Sequence, residues 1–83
     1  MNGRESIGLA DLEILTLRIA EGLVVARPGC TLEISTYVWN RNSFEAQHHF
    51  EEACERRAIP FAVKEQIGGI EWVCAQEARD DRA

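Results

Sequence analysis

Apolar and polar positions alternate most strictly across residues 27–39, RPGCTLEISTYVW. Leu32, Ile34 and Val38 fall on one face at period two, and Glu33, Ser35, Tyr37 and Trp39 on the other, which predicts a central strand. Pro28-Gly29 ahead of it is a turn, because Pro presets one dihedral and Gly accepts positive φ at the next. Residues 9–26, LADLEILTLRIAEGLVVA, carry two patterns at once. Their Leu, Ala, Glu and Arg content, with Asp11 as N-cap, predicts a helix over residues 11–25. The alternation of Leu15, Leu17 and Ile19 with Thr16 and Arg18 suits instead a β-hairpin turning at Glu21-Gly22. On a helix these apolar side chains would spread nearly all round the axis. Both readings stay open on pattern alone.

The rest of the chain is easier to parse. Residues 4–7 suit a short edge strand ended by Gly8. Asn42 or Ser43 can accept from first-turn amides, so a helix begins there and runs to about residue 58, with Glu45 favourably placed in its first turn. Ala46, Phe50, Ala53, Cys54 and Arg57 form its inner face at spacings of three and four, Glu52 and Arg56 are spaced for an i,i+4 pair, and Pro60 stops it. Residues 61–67 and 70–76 read as a hairpin around Gly68-Gly69. Phe61, Val63 and Ile67 share one face of it, and Ile70, Trp72 and Cys74 one face of the return strand. The tail from about residue 77 is charged and expected to fray.

The 83 residues suit a single domain, and an apolar fraction of 46% supplies a core. A net charge of −5 argues against nucleic-acid binding. No apolar run approaches the ~20 residues of a membrane span, and MNGRESIG lacks the apolar region of a secretory signal. Three cysteines, Cys30, Cys54 and Cys74, are an odd, widely spaced set that suits reduced thiols in a cytoplasmic protein.

With the helical reading of residues 11–25, the order is βαβαββ. That order, Gly8-Leu9 followed by Glu13, Pro28-Gly29 ahead of Leu32-Glu33-Ile34, and Gly68-Gly69 between Glu65 and Trp72 together resemble the TusA/SirA-like family of small sulfur carriers. The resemblance covers nearly the whole chain and implies an α+β two-layer sandwich, with two helices on one face of a four-stranded mixed sheet. The hairpin reading would give βββαββ, an arrangement seen in small acidic adaptors or inhibitors, phage-encoded ones included, that block a larger complex. The family opens its first helix with Gly-Leu-x-Cys-Pro-x-Pro. Here Asp11 stands at the carrier cysteine and both prolines are missing, so Gly8, Leu9, Asp11 and Glu13 form a degenerate motif.

A carrier cysteine works because a helix N-terminus favours the thiolate; Asp11 there is a capping carboxylate that cannot hold sulfur. Sulfur transfer through a displaced cysteine is the enzymatic alternative. Cys30 would sit at the far end of the first helix, roughly 20 Å away at 1.5 Å rise per residue, while Cys54 and Cys74 point inward. His48 and His49 are adjacent, hence about 100° apart on a helix, and cannot easily share an ion. Glu45, Glu51, Glu52 and Glu55 read as a solvated acidic face, and no phosphate-binding loop is present. No metal, cofactor or catalytic residue is therefore expected. If Leu32, Ile34 and Val38 face the helices, Tyr37 and Trp39 project from the uncovered side of the sheet. The expectation is a non-catalytic protein-binding or regulatory module that uses Tyr37 and Trp39 to meet a protein partner or a second copy.

Overall fold

The computed structural model describes residues 4–7 and 11–75, with the side chains of residues 4–6 left aside. Gly8, Leu9 and the tail from about residue 77 lie outside the described residues. The chain is of the α+β class. Its elements are β1 (Arg4–Ser6), α1 (Leu12–Ala20), β2 (Cys30–Ser35), α2 (Thr36–Asn40), α3 (Phe44–Arg56), β3 (Phe61–Lys64) and β4 (Ile70–Cys74).

Residues 12–20 are helical, which removes the β-hairpin reading and with it the βββαββ order. Leu12, Leu15 and Ile19 are fully buried at spacings of three and four, so burial of one stripe overrides the alternation with Thr16 and Arg18. The helix nevertheless stops at Ala20, short of residue 25. Gly22 adopts φ +80°, its N–H donates to Ile19 O at 3.0 Å, and the Leu23 N–H donates to Arg18 O at 2.8 Å. This pair of bonds is a Schellman stop, in which glycine takes the left-handed position. The same device ends α3. Ala58 N–H donates to Glu55 O at 3.2 Å and Ile59 N–H to Cys54 O at 2.9 Å, but here the left-handed residue is alanine, at φ 54°.

The strands lie side by side in the order β1-β4-β2-β3. β4 is antiparallel to both β1 and β2, and β3 is parallel to β2. The expected hairpin of residues 61–67 and 70–76 is thus absent, because β3 and β4 flank β2 on opposite sides rather than pairing with each other. The segment containing Gly68-Gly69 carries the chain across the end of β2, where Ser35 N–H donates to Gly69 O at 2.7 Å. β2 offers two open edges, and each receives one strand.

One face of the sheet presents Leu32, Ile34, Ile70 and Trp72 to the helices, all at most 3% exposed. Phe50, Ala53 and Cys54 of α3 and Leu12, Leu15 and Ile19 of α1 complete a single core. The opposite face carries Thr31, Glu33, Glu71, Val73 and Ala62, all half-buried.

The expectation of three reduced thiols is corrected at two of them. Cys30 and Cys74 are cross-strand partners and form a disulfide, leaving Cys54 as the free thiol. Their neighbours Gly29 and Ala75 are joined by a ladder bond, so the disulfide occupies a non-hydrogen-bonded pair, where opposed Cα atoms approach most closely.

Candidate functional site

β2 ends where its own polar residue allows it to turn. After the Ser35 N–H has made the last ladder bond, its Oγ accepts from the Val38 N–H at 3.2 Å and caps α2. The expected strand through Trp39 is therefore corrected to a strand ending at Ser35 followed by a short helix. In a helix, residues two apart lie about 200° round the axis, so Tyr37 and Trp39 no longer share a face. Tyr37 is 73% exposed. Trp39 turns inward and is half-buried, its ring centroid 5.8 Å from Phe61 and 6.2 Å from Phe50, with Phe50 and Phe61 5.0 Å apart. Trp39 thus belongs to an aromatic cluster joining α2, α3 and β3, and the docking role expected of it is not supported by its placement.

Around Tyr37 the structure assembles a corner that the alternation pattern did not reveal. The Arg41 guanidinium lies 5.5 Å from the centre of the Tyr37 ring, and its Nη2 is 3.4 Å from Asp11 Oδ1. Interaction with Tyr37, and then with Asp11, raises the Arg41 pKa above its ordinary value. Phe44, the first residue of α3, is 83% exposed. It sits just after Ser43, whose Oγ accepts from the Ala46 N–H at 3.1 Å; the cap fixes the helix start, and the next side chain is left in solvent. The Ser43–Glu45 capping pattern was legible in sequence, but the outward direction of Phe44 depends on how α3 is rolled onto the core.

Asp11 occupies the N-cap position of α1, yet its side chain makes no capping bond. Leu12 N–H is satisfied instead by Asn42 Oδ1 at 3.0 Å, which frees Asp11 for Arg41. The role expected of Asp11 is thereby corrected from cap to ion-pair partner. Glu13 is exposed in the first turn of α1, where a carboxylate complements the helix dipole.

The nucleophile candidates are not brought to this corner. Cys30 and Cys74 are bonded to each other. Cys54 is 1% exposed, and burial pushes its thiol up to about 12. His48 Nε2 pairs with Glu52 Oε2 at 3.3 Å, so Glu52 turns back to His48 rather than forward to Arg56. Among the described residues, no group of three or more His, Cys, Asp or Glu side chains is placed to hold a metal ion. No described helix is long and apolar enough to cross a membrane. No family model, curated protein or solved structure matches this chain.

Proposed function

We propose that the chain is a non-catalytic protein-binding module, built on a sulfur-carrier-like frame that has given up its carrier cysteine. The observation that carries this reading is the exposed Tyr37 with the Arg41 guanidinium over its ring, two of the residue types that dominate binding energy at protein interfaces. Phe44, three positions after Arg41 at the start of α3, adds a second exposed aromatic ring. The TusA/SirA-like likeness enters through Asp11, the residue at the degenerate motif position, which anchors Arg41 in this corner. Displaced sulfur transfer is disfavoured, since one thiol is buried and two are joined.

The test compares the wild type with a Tyr37→Ala/Phe44→Ala double variant in sedimentation and in quantitative pull-down from a cell extract. Loss of a partner, or of self-association, at an unchanged Tm is the expected result. Retention of all binding by the double variant overturns the reading. Mass spectrometry after incubation with a persulfide donor checks the non-enzymatic half, with no gain of sulfur expected.

A further inference from the structure

Burial falls away along β4. Ile70 and Trp72 are buried, Val73 and Cys74 are half-buried, and Ala75 is exposed. The start of the strand is anchored a second time, where Gly69 O accepts the Ser35 N–H at 2.7 Å. Past Trp72, the described links from β4 to β2 are three. They are the opposed pair Thr31 and Val73, the Cys30–Cys74 bond, and the Ala75 N–H donating to Gly29 O at 2.9 Å. The disulfide therefore closes the lightly buried end of a strand whose other end is held by the core. Arg4 of β1 is paired with Val73 in the same stretch. β2 has its own support, since Leu32–Ser35 pair with Phe61–Lys64 and Leu32 and Ile34 are fully buried. The third cysteine stands apart. Cys54 is buried on α3, and its thiol is pushed up to about 12, so it neither attacks nor exchanges at neutral pH.

We propose that Cys30–Cys74 is a reversible redox centre, which a protein dithiol opens in the folded chain to release the outer end of β4. Cys74, the less buried of the two residues, takes the attack. A thiolate of the dithiol bonds to Cys74 Sγ, and the S–S bond breaks with its electron pair on Cys30 Sγ, which takes a proton from solvent. The second thiol of the dithiol, also deprotonated, attacks its own sulfur in the mixed disulfide and expels the Cys74 thiolate, which is protonated in turn. Two electrons and two protons pass to the chain, and the dithiol is left as a disulfide. Both cysteines remain on strands anchored elsewhere and face each other, so an oxidised dithiol restores the bond by the reverse steps. With Cys54 inert, the pair cycles without scrambling. Tyr37 lies past the opposite end of β2, so this centre and the contact at Tyr37 stand or fall separately.

The test uses the full chain without denaturant and dithiothreitol as the dithiol. The expected result is reduction of the folded chain, after which iodoacetamide labels Cys30 and Cys74 and leaves Cys54 untouched. Amide exchange over a urea series reads the release. Because the Ala75–Gly29 pair is hydrogen-bonded, Thr31 and Val73 form the next hydrogen-bonded pair of the ladder. In the oxidised chain their amides should open only with the urea-dependent unfolding that exposes Ile34 and Phe50. In the reduced chain they should exchange about tenfold or more faster than Ile34 and with little dependence on urea, the mark of a local opening. Cys30→Ser/Cys74→Ser should show the reduced pattern with or without dithiothreitol. Resistance to dithiothreitol until urea unfolds the chain overturns the proposal, as does labelling of Cys54 alongside the pair. Unchanged exchange at Thr31 and Val73 also overturns it. So does a reduced chain or double variant that unfolds as a whole, since the bond would then staple the entire fold.

Discussion

Asn42 caps a helix 30 positions away: its Oδ1 accepts the Leu12 N–H at 3.0 Å. Its Nδ2 donates to Val38 O at 2.7 Å, so one side chain ties the start of α1 to the end of α2. Asn42→Ala leaves both groups unpaired and is expected to destabilise the fold by about 1–2 kcal/mol. Asn42→Asp keeps the acceptor for Leu12 and loses only the donor, so a smaller loss is expected. Urea unfolding of the three proteins checks the ranking, and equal midpoints would show that the bridge contributes nothing.

Ala58 holds a left-handed conformation that glycine adopts without a Cβ penalty. Ala58→Gly is therefore expected to stabilise the protein by about 0.5–1 kcal/mol, the unfolded-state entropy of glycine offsetting part of the gain. Gly22→Ala places a Cβ at φ +80° and should cost about 1 kcal/mol. The opposite signs of two exchanges at equivalent helix stops are read from denaturant midpoints.

Trp39→Ala removes a partner of Phe50 and Phe61 and is expected to cost about 2–3 kcal/mol, somewhat below the range for a fully buried tryptophan. Tyr37→Ala, at an exposed site, should stay within about 0.5 kcal/mol. Thermal unfolding of both variants separates the core residue from the contact residue. Similar losses would contradict the placement of α2.

The Cys30–Cys74 bond closes a separation of 44 residues. Replacing both cysteines by serine should cost about 2–4 kcal/mol, chiefly through the freer unfolded chain. Intact mass under non-reducing conditions should show one alkylatable thiol after unfolding and three after reduction.

Cys54 should resist iodoacetamide in the native protein and react on unfolding. Its folded-state pKa is raised from 9.0 to about 12, so its contribution to stability is complete below pH 9 and is lost as pH rises toward 12. Stability measured across that interval should fall more steeply in the wild type than in Cys54→Ala. Parallel curves would argue against burial of the thiol.

The buried stripe of Ala46, Phe50, Ala53 and Cys54 on α3 was legible because helical spacing is set by neighbours in sequence, although Arg57, expected on the same face, is the exposed residue that follows the helix. Of the two caps the sequence offered, Asn42 and Ser43, the helix uses Ser43. Leu32 and Ile34 on the inner face of β2 were legible from local spacing as well. What could not be read depends on contacts distant in sequence. Ser35 sits in an unbroken alternating run, and only its bond to Gly69 and its hydroxyl cap on Val38 show that the run changes from strand to helix. Two strands joined around Gly68-Gly69 look like a hairpin until β2 comes between them. Cys30 and Cys74 become opposed only through that insertion. The contact of Arg41 with Tyr37 inherits the same difficulty, since both lie where the chain turns from the alternating run into α2.

The place of β4 between β1 and β2 also orders events during synthesis. A nascent chain can build α1, β2, α3 and β3 while it emerges, because these elements are met by neighbours already made. Residues 4–6 have no strand to pair with until residues 71–73 are released, so β1 must wait for an element made after all the others described, a long-range closure of the kind that slows folding.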